Sequence, residues 1–212
     1  SRELFRQAGL LTPSYIALTK ENWLNKPTQI QKIIENIKLP VVIKPTSLGS
    51  SVGVSIVKEK ENLEDAFENA FENSHEVLIE DYIDGREMTC GILENFNGEK
   101  FFALPVTEII PPEGRFFDYE VKYNGQTREI TPAEIEPDLA KEIQGAAQKT
   151  HQILGCCHYS RVDMILNGRD IYILELNTLP GLTNASLFPQ AAKAAGLEFP
   201  QLLEHLIFSY SL

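Results

Sequence analysis

The stretch "YILELNTLPGLTNAS", residues 172–186, ends an apolar strand with an acid, an amide and a proline-glycine turn. Glu175 and Asn177 alternate with Leu174 and Leu176, and successive side chains of a strand point to opposite faces of its sheet. The pattern therefore predicts one apolar face and one face that carries oxygen atoms. These polar side chains either meet solvent before the turn or form a pair of hard oxygen ligands for a cation.

The preceding apolar stretch, "SRVDMIL", is separated from this strand by an Asn-Gly turn, so the two are predicted to form a β-hairpin. Arg161 and Asp163 share one face of it and are expected to lie opposite Glu175 and Asn177. Three clustered oxygen donors without Cys or His suit Mg²⁺, and a neighbouring arginine can stabilise anionic oxygens during a transfer reaction. The alternative is a solvated hairpin with one cross-strand ion pair, which the strongly apolar neighbours make less attractive.

Lys44 ends the apolar strand "LPVVIKP", and a loop rich in Gly and Ser follows it at 47–53. Lysine is rarely buried unless it is paired, and a cation beside a glycine-rich hairpin can clamp a polyphosphate. The order differs from a P-loop, in which the lysine closes the glycine loop and a helix follows directly. An ordinary turn with a surface lysine explains the loop equally well.

The stretch "VLIEDYIDGREM", 77–88, leads four apolar residues into Glu80 and places Glu87 beyond a turn. A flat heterocycle can lie against such a strand edge, with backbone groups reading its rim and carboxylates accepting hydrogen bonds from its amino or hydroxyl groups. Taken alone, the stretch is better explained as a charged connection between two lobes.

Strand and helix patterns along the chain indicate an α+β protein with two lobes, each an antiparallel-rich sheet covered by helices. The Asp84-Gly85 turn is taken as the boundary, which gives lobes of 1–85 and 86–212. One helix is predicted over roughly 20–36. The segment 111–133 contains three prolines and is predicted to be a long mobile loop, which in a compact domain is usually functional.

The 212 residues carry a formal net charge of −11, which argues against a nucleic-acid partner bound through bulk charge. A few local cations can still bind an anionic ligand. No apolar run approaches the roughly 20 residues of a membrane span. The three cysteines are too few and too irregular for a disulfide framework, which favours a reducing cytoplasm.

Five ordered motifs together resemble the ATP-grasp enzymes, and their loops resemble those of the D-alanine:D-alanine ligases. They are "VVIKPTSLGSSVGVS", "VLIEDYIDGREMT", "FFDYEVKY", "SRVDMI" and "ILELNTLPGLTNASLFP", and the likeness covers essentially the whole chain. The resemblance implies an ATP-grasp fold with a nucleotide cleft between the two lobes. It also implies ATP-dependent ligation of two D-alanines through an acyl phosphate, as in peptidoglycan precursor synthesis.

The resemblance also implies a set of nucleotide-binding residues. Lys44 is expected to contact the ATP phosphates, with the 47–53 loop, including Ser50 and Ser51, folded over them. Glu80 is expected at the adenine and Glu87 at the ribose, with Tyr82 and Ile83 as further nucleotide contacts. Lys122 is expected to reach the phosphates from the 111–133 loop, which Tyr123 orients through Ser50.

The remaining implied residues concern the metal and the amino acids. Asp163, Glu175 and Asn177 are expected to hold two Mg²⁺ ions, for which Mn²⁺ can substitute. Arg161 and the backbone of Gly181 are expected to hold the anionic oxygen of the tetrahedral intermediate. Ser186 and Leu187 are expected to bind the carboxylate of the second amino acid.

The resemblance leads to two further expectations and leaves two alternatives open. The family pattern places an amino-terminal α/β domain before Ser1, with contacts to the first D-alanine, and the full-length enzyme is expected to form a homodimer. A sister enzyme that uses D-lactate or D-serine is an alternative, although the Lys122-Tyr123 pair favours D-alanine as the second substrate. The other alternative is a non-catalytic fragment that binds nucleotide.

Overall fold

A computed structural model describes residues 1–25, 27–47, 49, 51–112 and 127–208. The chain divides into two compact units. The larger unit comprises the described residues of Ser1–Thr12, Asp84–Ile110 and Arg128–Leu212. The smaller unit comprises Pro13–Ile83 and the described ends of the segment 111–127. The chain passes between the units two residues before the predicted boundary, and the first twelve residues belong to the larger unit rather than to the lobe predicted for them.

The described residues form seven α-helices and ten strands, with a short 3₁₀ turn at Lys60–Asn62. The helices are α1 Arg2–Gln7, α2 Lys20–Asn25, α3 Pro27–Asn36, α4 Leu63–Asn73, α5 Pro137–Ile153, α6 Leu187–Ala194 and α7 Phe199–Phe208. The strands are β1 Tyr15–Thr19, β2 Val41–Pro45, β3 Ser55–Val57, β4 Glu76–Asp81, β5 Arg86–Phe96, β6 Glu99–Ala103, β7 Thr107–Ile110, β8 Arg128–Ile130, β9 Tyr159–Asn167 and β10 Asp170–Asn177. None of these helices combines the length and the apolar character that crossing a bilayer requires.

The smaller unit is a four-stranded antiparallel sheet in the order β1-β4-β2-β3, with helices packed on one face. Alternation along β2 turns Val41 and Ile43 inward, where they pack against the apolar side of α4. The predicted helix over 20–36 is two helices, because a proline lacks the N–H that a helix interior needs and is tolerated in a first turn. α3 accordingly begins at Pro27.

The larger unit is built on a sheet in the order β10-β9-β5-β7-β8, with β6 paired to β5 and all pairings antiparallel. Along β5, Met88, Cys90 and Ile92 face a core formed with α5. β8 lies inside the stretch predicted as the loop 111–133 and pairs with β7. That loop therefore ends earlier than predicted. Strand β8 was not predicted, because a run of three residues is too short to show the periodicity of a strand.

The opposite face of this sheet is partly covered by α6. At Gly91 of β5, an added Cβ would lie 2.8 Å from Leu104 Cδ1 and from Phe188 Cδ2, so the close approach of α6 requires a glycine there. Thr89 precedes Gly91 by two residues and lies on the same side of this sheet. The α+β class with two antiparallel sheets is thus confirmed, and the polar residues of the hairpin lie on the face of Thr89 and Gly91.

A buried polar network connects β5, α5 and β9. Glu94 Oε1 lies 3.3 Å from His151 Nε2, and His151 Nδ1 lies 2.8 Å from Ser160 Oγ, with both His151 and Ser160 fully buried. The order acid-imidazole-hydroxyl matches that of a hydrolase triad, but a fully buried serine cannot reach a substrate, so the network is structural. Burial lowers the pKa of His151 below its usual value, and the neighbouring Glu94 only partly opposes this.

The network predicts a loss of stability in mild acid. A histidine whose pKa is lowered by folding takes up its proton more readily in the unfolded chain, so the free energy of unfolding falls as the pH drops below the unfolded pKa of about 6.5. One such group contributes at most about 1.4 kcal/mol per pH unit. Urea denaturation at pH 7.5, 6.5 and 5.5 measures this slope. His151→Gln is expected to flatten it, whereas His75→Gln, at an exposed position, leaves it unchanged. An unchanged slope in His151→Gln would assign the pH dependence to other groups.

Candidate functional site

The polar residues of the β9–β10 hairpin lie on one face of the larger unit. Glu175 pairs with Asp163 and Asn177 pairs with Arg161 in the strand register. Side chains of residues that pair directly in an antiparallel sheet lie on the same face, about 5 Å apart at Cβ. The structure therefore brings together these four residues, as the sequence predicted from their alternation.

The guanidinium of Arg161 donates two hydrogen bonds to the Asp163 carboxylate, from Nε to Oδ1 and from Nη2 to Oδ2, both 2.8 Å long. Thr89 Oγ1, on the adjacent strand β5, donates to Asp163 Oδ1 at 2.7 Å. Burial opposes the charge of Arg161, but the carboxylates of Asp163, Glu175 and Glu87 outweigh it and raise the pKa of the guanidinium. Arg161 is thus permanently charged, and two of its five N–H donors are used on Asp163.

The charges around Arg161 suit a divalent cation. Three carboxylates, those of Asp163, Glu175 and Glu87, act on one guanidinium, so the charges of these four side chains sum to about −2. Glu87 also lies on β5 two residues before Thr89, so it projects from the same face. A cation of charge +2 balances this set of side chains.

The donor chemistry narrows the choice of metal. Among the described residues, no group of three or more His, Cys, Asp or Glu side chains has the geometry of a complete metal cage. Asp163 and Glu175 supply carboxylate oxygens, and Asn177 Oδ1 supplies an amide oxygen that is only weakly engaged, 3.4 Å from the Leu179 N–H. An all-oxygen set with few protein ligands fits Mg²⁺, which keeps several waters and shares substrate phosphates.

The loop that follows β10 contains the residues predicted to contact the amino acid and the reacting carbonyl. An added Cβ at Gly181 would lie 2.8 Å from Ser186 Oγ, so a side chain there would displace the Ser186 hydroxyl. Ser186 Oγ accepts the Thr183 N–H at 3.2 Å and lies 2.8 Å from Thr183 Oγ1. Ser186 is the residue before α6, and Leu187 is its first residue. The loop is therefore closed on itself and places Gly181, Ser186 and Leu187 at one end of the sheet.

The smaller unit contains an ion pair between two of the predicted nucleotide residues. Lys44 Nζ lies 3.0 Å from Glu80 Oε2, and the two side chains are 19% and 3% exposed. They project from the sheet face opposite the helical core, since Val41, Ile43 and Pro45 of β2 and Val77 and Ile79 of β4 point inward. Sequence reasoning placed a cation and an acid separately at two ligand positions, whereas the structure joins them.

The other predicted residues are more dispersed. Ser51 has a φ of 60° and lies in the turn that precedes strand β3. Tyr82 and Ile83 are half-buried and follow β4, at the end of the smaller unit. Ser50, Lys122 and Tyr123 lie outside the described residues, so their predicted roles stay predictions.

Sequence reasoning missed two groups of side chains that support the site. Thr89, buried on β5, bonds Asp163, and its position two residues after Glu87 is the signal that could have identified it. Gln190 Nε2 of α6 donates to Glu129 Oε2 at 2.8 Å and to the Ala185 carbonyl at 3.0 Å, which ties the loop after β10 to β8. No local pattern marks this second contact, because its partners are 61 residues apart.

Comparison with known proteins identifies the relatives of this chain. It is 44% identical over 210 residues to the D-alanine–D-alanine ligase of Syntrophobacter fumaroxidans, covering 98% of the chain and 65% of the relative. It is 38% identical to the D-alanine–D-alanine ligase of Carboxydothermus hydrogenoformans, covering 98% of the chain and 66% of the relative. The chain thus spans just under two thirds of the length of these relatives.

Solved structures agree with the sequence comparison. The VanG D-Ala:D-Ser ligase from Enterococcus faecalis superposes with a TM-score of 0.85 at 36% identity, covering 99% of this chain and 60% of that protein. The D-alanine–D-alanine ligase from Bacillus anthracis complexed with ATP gives 0.75 at 37% identity, covering 97% and 63%. These likenesses confirm the predicted ATP-grasp fold. The family model for the D-Ala-D-Ala ligase C-terminus matches residues 4–208, and the chain therefore belongs to that family.

Proposed function

We propose that this protein uses ATP and Mg²⁺ to join D-alanine to a second D-alanine, for the synthesis of peptidoglycan precursors. The observation that carries the proposal is the polar face on which Asp163, Glu175 and Asn177 surround Arg161 in a chain of this family. Phosphoryl transfer mainly requires positioned charge, and this face supplies both carboxylates for a metal and a permanent cation. Cytoplasmic location and a homodimeric full-length enzyme stay predictions.

The smaller unit is assigned to the nucleotide. Lys44 is proposed to contact the phosphates and Glu80 the adenine, and the 3.0 Å ion pair between them holds both side chains in place before a nucleotide arrives. Ser51, Tyr82 and Ile83 are further proposed nucleotide contacts among the described residues of this unit, and Ser50 and Lys122 lie outside the described residues. From the larger unit, Glu87 is proposed to accept a hydrogen bond from the ribose.

The larger unit is assigned to the metal and to the reacting groups. Asp163, Glu175 and Asn177 would hold Mg²⁺, which supplies neutralisation of the phosphate charge when it is bound. Asp163 accepts hydrogen bonds from Arg161 and Thr89 that hold its carboxylate on the same face as Glu175 and Asn177, and oxygen donors of this kind suit Mg²⁺. The donor set therefore fits the ion.

The proposed reaction has two transfers. A carboxylate oxygen of the first D-alanine attacks the γ-phosphorus of ATP, the bond to the bridging oxygen breaks, and ADP leaves with that electron pair. The amine of the second D-alanine then attacks the carbonyl carbon of the acyl phosphate. The tetrahedral intermediate collapses to the dipeptide and inorganic phosphate, and the amine loses a proton to the surroundings.

Two groups of this chain are suited to the second transfer. Arg161 has three N–H donors beyond the two that bind Asp163, and these can hold the anionic oxygen of the tetrahedral intermediate. The Gly181 backbone N–H is proposed as the second donor. Ser186 and Leu187 are proposed to receive the carboxylate of the attacking amino acid, since a helix N-terminus favours an anion.

A second candidate is ligation of D-alanine to D-serine. The likeness to the VanG D-Ala:D-Ser ligase is the observation that favours it. Both reactions share the ATP-dependent first transfer, so they differ only in the attacking amino acid. D-lactate as the second substrate, which forms an ester, is the remaining variant.

The test is ADP release by the complete gene product that contains these residues. ADP formation is expected to depend on D-alanine, and the dipeptide is expected to appear in equal amount. D-Alanine with D-serine and D-alanine with D-lactate are run in parallel, and the mixed product is quantified by mass spectrometry. A predominance of D-alanyl-D-serine would favour the second candidate. Nucleotide binding without any D-alanine-dependent ADP release would leave a nucleotide-binding module and refute the ligase.

A further inference from the structure

Strand β10 contains one extra residue immediately before the proposed metal ligands. Ile173 pairs with Met164 and Glu175 pairs with Asp163, so Leu174 has no counterpart on β9. A β-bulge of this kind bends a strand and changes which side chains face which way.

The bulge decides the side of the sheet on which Glu175 lies. Ile171 and Ile173 both contact the core formed with α5. In a regular strand, Glu175 would follow them on that core face, because residues i, i+2 and i+4 share a face. The extra residue reverses this phase, so Glu175 and Asn177 join Asp163 on the polar face and Leu176 packs toward the core.

The first twelve residues of the chain hold this bulge. Arg2 Nη2 donates to the carbonyl of Leu174 at 3.1 Å, and Arg2 is only 8% exposed. The N–H of the preceding residue, Ile173, donates to the Leu11 carbonyl at 2.9 Å. α1, which carries Arg2, is anchored by the fully buried Phe5. Two hydrogen bonds from one segment thus act on consecutive residues at the bulge.

The chemistry explains why an arginine is used. The carbonyl of a bulged residue leaves the regular ladder, and a buried backbone carbonyl needs another hydrogen-bond donor. A guanidinium remains protonated and offers several N–H donors in a fixed plane, so it holds such a carbonyl in one orientation.

We infer that Arg2 is a positioning residue for the metal-binding end of β10. By holding the Leu174 carbonyl, Arg2 maintains the bulge that turns Glu175 and Asn177 toward Asp163. Arg2 acts on the metal ligands through the Leu174 carbonyl. The inference rests on the proposed function, since it takes Glu175 and Asn177 as metal ligands.

The test measures Mn²⁺ affinity, by electron paramagnetic resonance of the free ion at saturating AMP-PNP, together with the melting temperature. Arg2→Met removes the donors and keeps the apolar stem. Its dissociation constant for Mn²⁺ is expected to rise by about tenfold or more, the usual effect of losing a group that orients a metal ligand. Arg2→Lys, which retains a cationic donor, is expected to recover part of the affinity. Arg6→Met, at an exposed position of the same helix, is the matched control and is expected to bind Mn²⁺ normally.

The outcomes separate the inference from the proposed function. A lower melting temperature in Arg2→Met with a Mn²⁺ affinity within twofold of wild type would make Arg2 purely structural and overturn the inference. If Arg2→Met does not fold, Arg2→Gln is measured against the same twofold limit. Glu175→Gln tests the metal site itself. If Glu175→Gln binds Mn²⁺ normally, the metal assignment fails. If Glu175→Gln loses affinity while Arg2→Met does not, only the role of Arg2 fails.

Discussion

Replacing Glu175 with glutamine, or Asp163 with asparagine, is expected to weaken Mn²⁺ binding at saturating AMP-PNP by about 100-fold, since losing even an outer group costs 10–100-fold. The carboxylates pair across the β9–β10 hairpin and supply most of the negative charge on this face. Affinity for ATP measured without metal is expected not to fall. In Asp163→Asn it should rise slightly, because Arg161 loses the carboxylate that now occupies two of its donors.

Asp170→Asn is the matched control for these variants. Asp170 is an exposed carboxylate at the other end of β10, so its replacement changes net charge equally without touching the site. It is expected to bind Mn²⁺ as wild type does. Equal losses in Asp170→Asn and Glu175→Gln would show a general charge effect and remove the case for a metal site at the hairpin.

The second large effect is expected at the ion pair of the smaller unit. Lys44→Met leaves the buried Glu80 carboxylate without this cation, and breaking such a pair from one side costs about 3 kcal/mol of the free energy of unfolding. The affinity for ATP is expected to fall by about tenfold, or about 1.4 kcal/mol, because a phosphate contact is lost. Urea denaturation and equilibrium titration with ATP measure the two effects separately.

The double variant Lys44→Met/Glu80→Gln distinguishes stability from binding. Removing both charges is expected to restore most of the free energy of unfolding while the ATP affinity stays low. Lys58→Met, at an exposed lysine of the same unit, is expected to change neither quantity. If the double variant regains wild-type ATP affinity, Lys44 acts only as a structural partner of Glu80 and does not contact phosphate.

Many of the helices and strands can be predicted from the sequence, because helix and strand periodicities are local. The hairpin β9–β10 was predicted from an Asn-Gly turn between two apolar runs, and the strands pair as expected. Helix α4 likewise follows a local pattern, since its apolar residues recur at helical spacing, and its Phe67 and Phe71 are buried. The convergence of Arg161 and Asp163 with Glu175 was also predicted, since strand alternation needs only a few neighbouring residues.

Contacts between residues that are distant in the chain were not predicted. The Thr89–Asp163 bond joins residues 74 positions apart, and the Glu94–His151 contact joins residues 57 apart. Lys44 and Glu80 were predicted as two separate ligand contacts, whereas in the structure they form an ion pair with each other. None of these partners is marked by spacing or composition.

By itself, the sequence determined most of the helices and strands, the two antiparallel sheets, the polar hairpin and the family, since local periodicity and linked motifs carry that information. Only the tertiary structure decided the phase of β10. Leu176 packs toward the core as its alternation with Glu175 and Asn177 predicted, but Ile171 and Ile173 follow the opposite phase, and Leu174 after them has no partner on β9. The bulge that reconciles them depends on Arg2 and Leu11, more than 160 residues away, because a strand's facing direction is set by what packs and bonds against it.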